Sequence, residues 1–114
     1  MALAQDLYLI SVAARMLGMH PQTLRKYERL GLVQPPRTLG SMRVYSGQEL
    51  ERLRLIKHLV DDVGVNLAGV QRLLSVAAVV ERMRPLLYDE RMGRTETRQQ
   101  LAREVEALSR ILGL

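Results

Sequence analysis

The chain contains no cysteine. That removes disulfides, thiolate metal sites and cysteine nucleophiles together, and leaves two histidines as the only imidazole ligands. There is no phosphate-binding glycine loop and no hydrolase signature, and the acidic residues are scattered through amphipathic segments. An enzyme is therefore not expected, nor is a metal or a cofactor. Long apolar runs are missing too. Asp6 precedes every basic residue and Arg15 interrupts the early Leu/Ala stretch too soon for a signal-peptide core or a membrane span, so the expectation is a soluble cytoplasmic protein. Internal repeats and low-complexity tracts are also absent.

At 114 residues the chain has room for one domain, or for one small domain with an appended helix. The net charge of +5 is unevenly placed. Residues 1–60 hold nine Lys/Arg against four Asp/Glu, whereas residues 61–114 hold eight against eight. A localised positive face attracts a polyanion and speeds encounter with it, while a balanced remainder suits solvated helices or a partner surface.

The basic half carries a helix-turn-helix pattern. Val12, Ala13, Met16 and Leu17 are apolar at helical spacing, and Ser11 stands where a cap would. Gly18-Met19 fits a tight turn requiring positive φ, and Ala14 is small enough for close approach. Pro21 is suited to the first position of the next helix, whose inner stripe is Leu24, Tyr27 and Leu30, with Gly31 as its terminator. The outer positions Gln22, Thr23, Arg25, Lys26 and Arg29 are residue types that bond base edges or phosphates.

Pro35-Pro36 forces the chain to extend. Arg37-Thr38 and Met42-Arg43-Val44-Tyr45 flank a turn at Leu39-Gly40-Ser41 and read as a small hairpin, the shape of a wing. Ser46 and Glu49 have capping-box spacing, and Leu50, Leu53, Ile56, Leu59 and Val60 form one face of a third helix closed by Gly64. Asn66 caps a short fourth helix, about 67–75, with Leu67, Val70, Leu73 and Leu74 inward. Two stripes follow, Val76, Val80, Met83, Leu87 and Leu101, Val105, Leu108, Leu112, each at coiled-coil spacing. They do not share a register. With Pro85 and Gly93 between them, a break is expected between about Tyr88 and Arg94.

These residues carry a resemblance. The segment from His20 to Ser46 resembles the DNA-binding head of the MerR superfamily, through Arg25, Tyr27, Gly31, Leu32, Pro35, Arg37, Arg43 and Tyr45 at the family's spacings. The similarity covers about the first 75 residues. Within the superfamily it is nearest to the heat-shock repressors of the HspR branch, through 10–14, 20–25 and, above all, 64–70. That resemblance implies an autoregulatory repressor of chaperone operons that binds an inverted repeat as a dimer, with the Hsp70 chaperone DnaK as co-repressor. Two departures stand out. Lys26 replaces the first of the paired tyrosines common in the superfamily, and the lack of cysteine excludes the thiolate chemistry of the mercury, copper and zinc sensors.

The expected fold is mainly α: a winged helix-turn-helix domain over 8–75 with a small β-hairpin wing, then a C-terminal amphipathic dimerisation region over 76–114. The expected DNA-binding residues are Gln22, Thr23, Arg25, Lys26, Tyr27, Arg37, Arg43 and Tyr45. Gln22 and Thr23 lie at the helix start that usually reaches base edges. Tyr27 and Tyr45 combine a packing ring with a hydroxyl able to reach phosphate. Arg37 and Arg43 flank the wing, where a guanidinium lies along phosphate or enters a narrow minor groove. Arg54 and Lys57 are weaker phosphate candidates, and His20 is read as a cap. The apolar tail Ile111–Leu114 is a candidate chaperone-docking segment, with a frayed helix end as its alternative. Two other functions stay open: an effector-responsive activator, against which the short region after Ser75 argues, and an architectural or adaptor DNA-binding protein.

Overall fold

The computed structural model describes residues 6–38, 40–87 and 93–113. The chain packs into two compact units, 1–64 and 65–114.

In the first unit, β1 (Tyr8–Leu9) leads directly into α1 (Ile10–Leu17). Leu9 is therefore the residue before the first turn, and it offers no side-chain cap. Ser11, expected to cap this helix, lies inside it. Ala13, Ala14 and Leu17 are buried, while Val12 and Met16, expected on the inner face, are exposed. Gly18 ends the helix at φ 65°, and the Met19 amide bonds back to the Ala14 carbonyl at 2.9 Å. Lys57 Nζ donates to the Leu17 carbonyl at 2.8 Å, satisfying an acceptor that the helix end leaves free.

Helix α2 (Pro21–Arg29) begins as expected, with proline at its first position. His20 Nδ1 accepts the Gln22 amide at 3.0 Å, so the histidine is the cap. Leu24 and Tyr27 are buried; Leu30 lies past the helix end and is exposed. Gly31 adopts φ 76° and turns the chain out.

The wing is built by a bridge between Arg37 and Arg43, with Thr38 N–H donating to the Met42 carbonyl at 2.8 Å. Its left-handed residue is Ser41, at φ 62°, rather than Gly40. The strand after the turn stays with its hairpin partner as far as Val44, whose N–H donates to the Pro36 carbonyl at 2.9 Å. Its second part, β2 (Val44–Tyr45), pairs antiparallel with β1, Tyr8 opposite Tyr45 and Leu9 opposite Val44. This short sheet ties the chain's beginning to the base of the wing.

Helix α3 (Gly47–Lys57) starts with the expected capping box, Ser46 N–H donating to Glu49 Oε2 at 3.0 Å. Leu50, Leu53 and Ile56 are its buried face. The chain then widens into a π-helical segment, His58–Val63, and stops at Gly64 with φ 87°. The core of this unit includes Ala13, Leu17, Leu24, Tyr45, Leu53 and Ile56.

In the second unit, Asn66 caps α4 (Leu67–Leu87) through its Oδ1, which accepts the Gly69 amide at 2.8 Å. The helix does not stop near Ser75 but runs on to Leu87 with Pro85 in its last turn. α5 (Arg94–Leu112) follows; the expected break falls between the two, and residues 88–92 lie outside the described residues. Arg82 Nε pairs with Glu104 Oε2 at 3.0 Å, and Arg72 donates to the Ile111 carbonyl at 2.7 Å. These two ties set α4 and α5 antiparallel. Among the described residues of this unit Val70, Leu74, Val79 and Glu104 are buried; of the two stripes, Val80, Leu87, Val105 and Leu112 are exposed and Val76, Met83, Leu101 and Leu108 half-buried, while Leu73, expected inward, is exposed. The tail is helical to Leu112 and closes on Gly113 at φ 78°; Leu114 lies outside the described residues. Among the described residues no helix is long and apolar enough to cross a membrane.

Candidate nucleic-acid interface

Because Leu24 and Tyr27 anchor α2 in the core, its other side is presented outward by the helical period. Gln22 and Lys26 are exposed, while Thr23 and Arg25 are half-buried. With His20 engaging the Gln22 amide, these side chains project from a pre-formed helix start, where backbone amides and the helix dipole also favour an anion.

The wing brings Arg37 and Arg43 to the side of this helix, and Glu28 joins them. Arg37 Nη2 bonds Glu28 Oε1 at 2.7 Å, and Arg43 Nε bonds Glu28 Oε2, so each carboxylate oxygen holds one guanidinium. Arg37 Nη1 also donates to the Ser41 carbonyl at 3.1 Å, closing the wing turn on itself. Arg43 and Glu28 are mostly enclosed and Arg37 is more open, with side-chain exposures of 24%, 20% and 42%. Sequence reasoning missed Glu28. Its one signal is isolation: it is the only acidic residue between Asp6 and Glu49.

Both tyrosines expected to touch DNA are core residues. Tyr45 is wholly buried, at 0% exposure, and a side chain without exposed surface does not reach a duplex. It packs the wing instead, and its hydroxyl has no hydrogen-bond partner among the described residues. Burial pushes its phenol above the usual tyrosine range, with the Glu28 carboxylate adding to the rise and Arg43, Arg25 and Arg37 opposing it. Tyr27 is 6% exposed; burial raises its phenol as well, followed by the charge of Asp61. Of the weaker candidates, Arg54 is exposed and pairs with Glu51 at 2.6 Å, and Lys57 caps α1. His58 Nδ1 lies 2.9 Å from Asp62 Oδ2 on the exposed π-helical segment. Among the described residues no group of three metal-ligating side chains comes together.

The arrangement is a helix start and a basic wing on one unit, able to engage a groove and its flanking phosphates together. A family model described as MerR HTH family regulatory protein matches residues 8–76. A Streptomyces coelicolor protein assigned as heat shock protein HspR is 54% identical over 69 residues, covering 60% of this chain and 46% of that protein. The chain thus spans about half the length of that relative. A mercuric resistance operon regulatory protein of Bacillus cereus is 32% identical over 106 residues, 92% of this chain and 80% of that protein. In fold, the chain is similar to HiNmlR, a MerR family regulator lacking the sensor domain, in a crystal structure bound to promoter DNA. The TM-score is 0.60 at 22% identity, over 96% of this chain and 80% of that one.

Proposed function

The chain belongs to the MerR family of helix-turn-helix transcriptional regulators, and from that membership we propose that it is a repressor of heat-shock genes that occupies an inverted-repeat operator as a dimer. The observation that carries the DNA-binding part is the outward side of α2, with Gln22 and Lys26 exposed and the guanidiniums of Arg37 and Arg43 held on Glu28 in the helix's last turn. Gln22 and Thr23 read base edges, Arg25 and Lys26 engage base or phosphate, and the wing arginines hold the flanking backbone. Tyr27 and Tyr45 set the positions of these groups from inside the core.

Dimerisation is supported by the second unit. The antiparallel pairing of Arg82 with Glu104 and Arg72 with Ile111, combined with the helical period, places Leu73, Val80 and Leu87 of α4 on the same side as Val105 and Leu112 of α5. An apolar face shared by two helices suits a second copy, and a two-fold dimer reads two half-sites. The heat-shock assignment is supported by the similarity to the Streptomyces HspR over the head. In this reading DnaK is the co-repressor, and heat draws the chaperone away and lowers occupancy. An Hsp70 chaperone accepts extended segments, so docking on the tail requires the last turn of α5 to unwind and the Arg72 bond to the Ile111 carbonyl to break.

The test is fluorescence anisotropy of the purified chain at physiological salt, on an inverted-repeat duplex and a random duplex. Preference for the repeat is expected; equal, purely salt-driven binding to both refutes the proposal. DnaK added to the same titration is expected to tighten operator binding, and deletion of Ile111 to Leu114 is expected to abolish that increment. No increment with the full chain refutes the co-repressor part alone.

A further inference from the structure

We propose that Glu28 is a positioning residue for DNA recognition: by holding one wing guanidinium on each carboxylate oxygen, it sets operator specificity at the expense of overall attraction to DNA. This rests on the reading that α2 and the wing contact the duplex. A carboxylate on a phosphate-facing surface repels the polyanion, so its removal raises sequence-independent affinity unless it does something else there. What it does is visible in the geometry. Glu28 sits on α2, Arg37 on one arm of the wing and Arg43 on the other, and the single carboxylate ties all three.

Arginine is a long side chain that otherwise samples many rotamers, and a bidentate or groove contact is lost when its plane is not fixed. Arg37 is held twice, by Glu28 and by the Ser41 carbonyl. Arg43 is held through Nε, which leaves its two Nη groups without a partner among the described residues. Those are the atoms that form the outward fork for phosphate or base. The partial enclosure of Glu28 and Arg43 reduces solvent screening of their attraction, so the clamp persists where a fully exposed pair would not. The charges of Arg25, Arg37 and Arg43 also bear together on the buried Tyr45 phenol, which gathers recognition helix and wing around one acidic group.

The experiment uses the full chain, an inverted-repeat duplex that it selects from a randomised pool, and a scrambled duplex of the same composition. Glu28→Gln keeps the shape and removes the charge. The expected result is a loss of about tenfold in affinity for the selected duplex, one well-oriented guanidinium contact's worth, with binding to the scrambled duplex unchanged or tighter. With Arg37→Gln and Arg43→Gln already present, adding Glu28→Gln changes the ratio of the two affinities by less than about twofold, since the effect runs through the arginines. Glu28→Asp keeps the charge but is too short to span both guanidiniums, and it is expected to lose part of the ratio. It carries the same test should Glu28→Gln melt early. Parallel tightening on both duplexes, an undiminished effect of Glu28→Gln without the arginines, or a full ratio for Glu28→Asp overturns the inference. Failure of the underlying reading looks different: the pool returns no preferred sequence, or Arg37→Gln and Arg43→Gln change binding to neither duplex.

Discussion

Tyr45→Phe separates the two roles that the sequence allowed for this tyrosine. In the structure the ring is wholly enclosed and the hydroxyl has no partner among the described residues. A buried polar group without a hydrogen bond costs about 1–3 kcal/mol relative to its hydrated state in the unfolded chain. Replacing O–H by hydrogen removes that penalty and leaves an oxygen-sized void, worth about 0.4 kcal/mol at about 24 cal/mol per Å3. The net expectation is stabilisation of the head by about 0.6–2.6 kcal/mol, the penalty less the void. For a domain of this size that is roughly a 2–20 °C rise in Tm. Urea denaturation followed by circular dichroism reads the free energy directly, and an unchanged m-value confirms that the denatured state is not the cause. DNA affinity should stay at the wild-type value, because nothing of this side chain reaches the surface. Destabilisation by more than about 1 kcal/mol would show that the hydroxyl has a native partner, and a selective loss of operator binding would show that it faces DNA.

Three other perturbations follow from the same packing. The folded-state phenols of Tyr27 and Tyr45 both lie above the ordinary 10.0, so above that pH the unfolded chain releases protons that the native chain keeps. Stability is fully present below pH 10 and declines as pH rises beyond it; Tm against pH, with absorbance at about 295 nm reporting ionisation, should show this, less steeply in Tyr45→Phe. His20→Ala removes the acceptor for the Gln22 amide and should cost about 1 kcal/mol, with His20→Asn recovering most of it; equal stability of all three forms in urea would refute the cap. Leu53→Ala empties a wholly buried site on α3 and should cost about 2–5 kcal/mol by the same denaturation, a loss below about 1 kcal/mol contradicting the assigned core.

What the sequence made legible is local. Gly18, Pro21, the Ser46/Glu49 box and Asn66 act through neighbours a few residues away, and each stands where its chemistry predicts. The strand Tyr8–Leu9 was not legible: a two-residue strand has no period, and its partner lies at Val44–Tyr45, far along the chain. What the C-terminal stripes pack against was not legible, for a related reason. Coiled-coil spacing marks which residues share a side of a helix but not which side the neighbouring helix covers, and here Arg82–Glu104 puts a charged pair at the contact between α4 and α5. Within the candidate interface, the basic residues of α2 and the wing were identifiable from type and spacing. The Glu28 clamp was not, because a lone acid on a basic helix acquires its role only when the wing folds back onto it.

In the proposed complex α2 and the wing of two chains occupy two half-sites, and a footprint of the purified protein on the DNA upstream of its own gene, with and without DnaK, reads that occupancy base by base. The expected result is protection of an inverted repeat with two equivalent half-sites, extended to lower protein concentration by the chaperone and abolished by Arg37→Gln with Arg43→Gln. Uniform protection without a boundary, or a footprint that survives loss of both arginines, would contradict it.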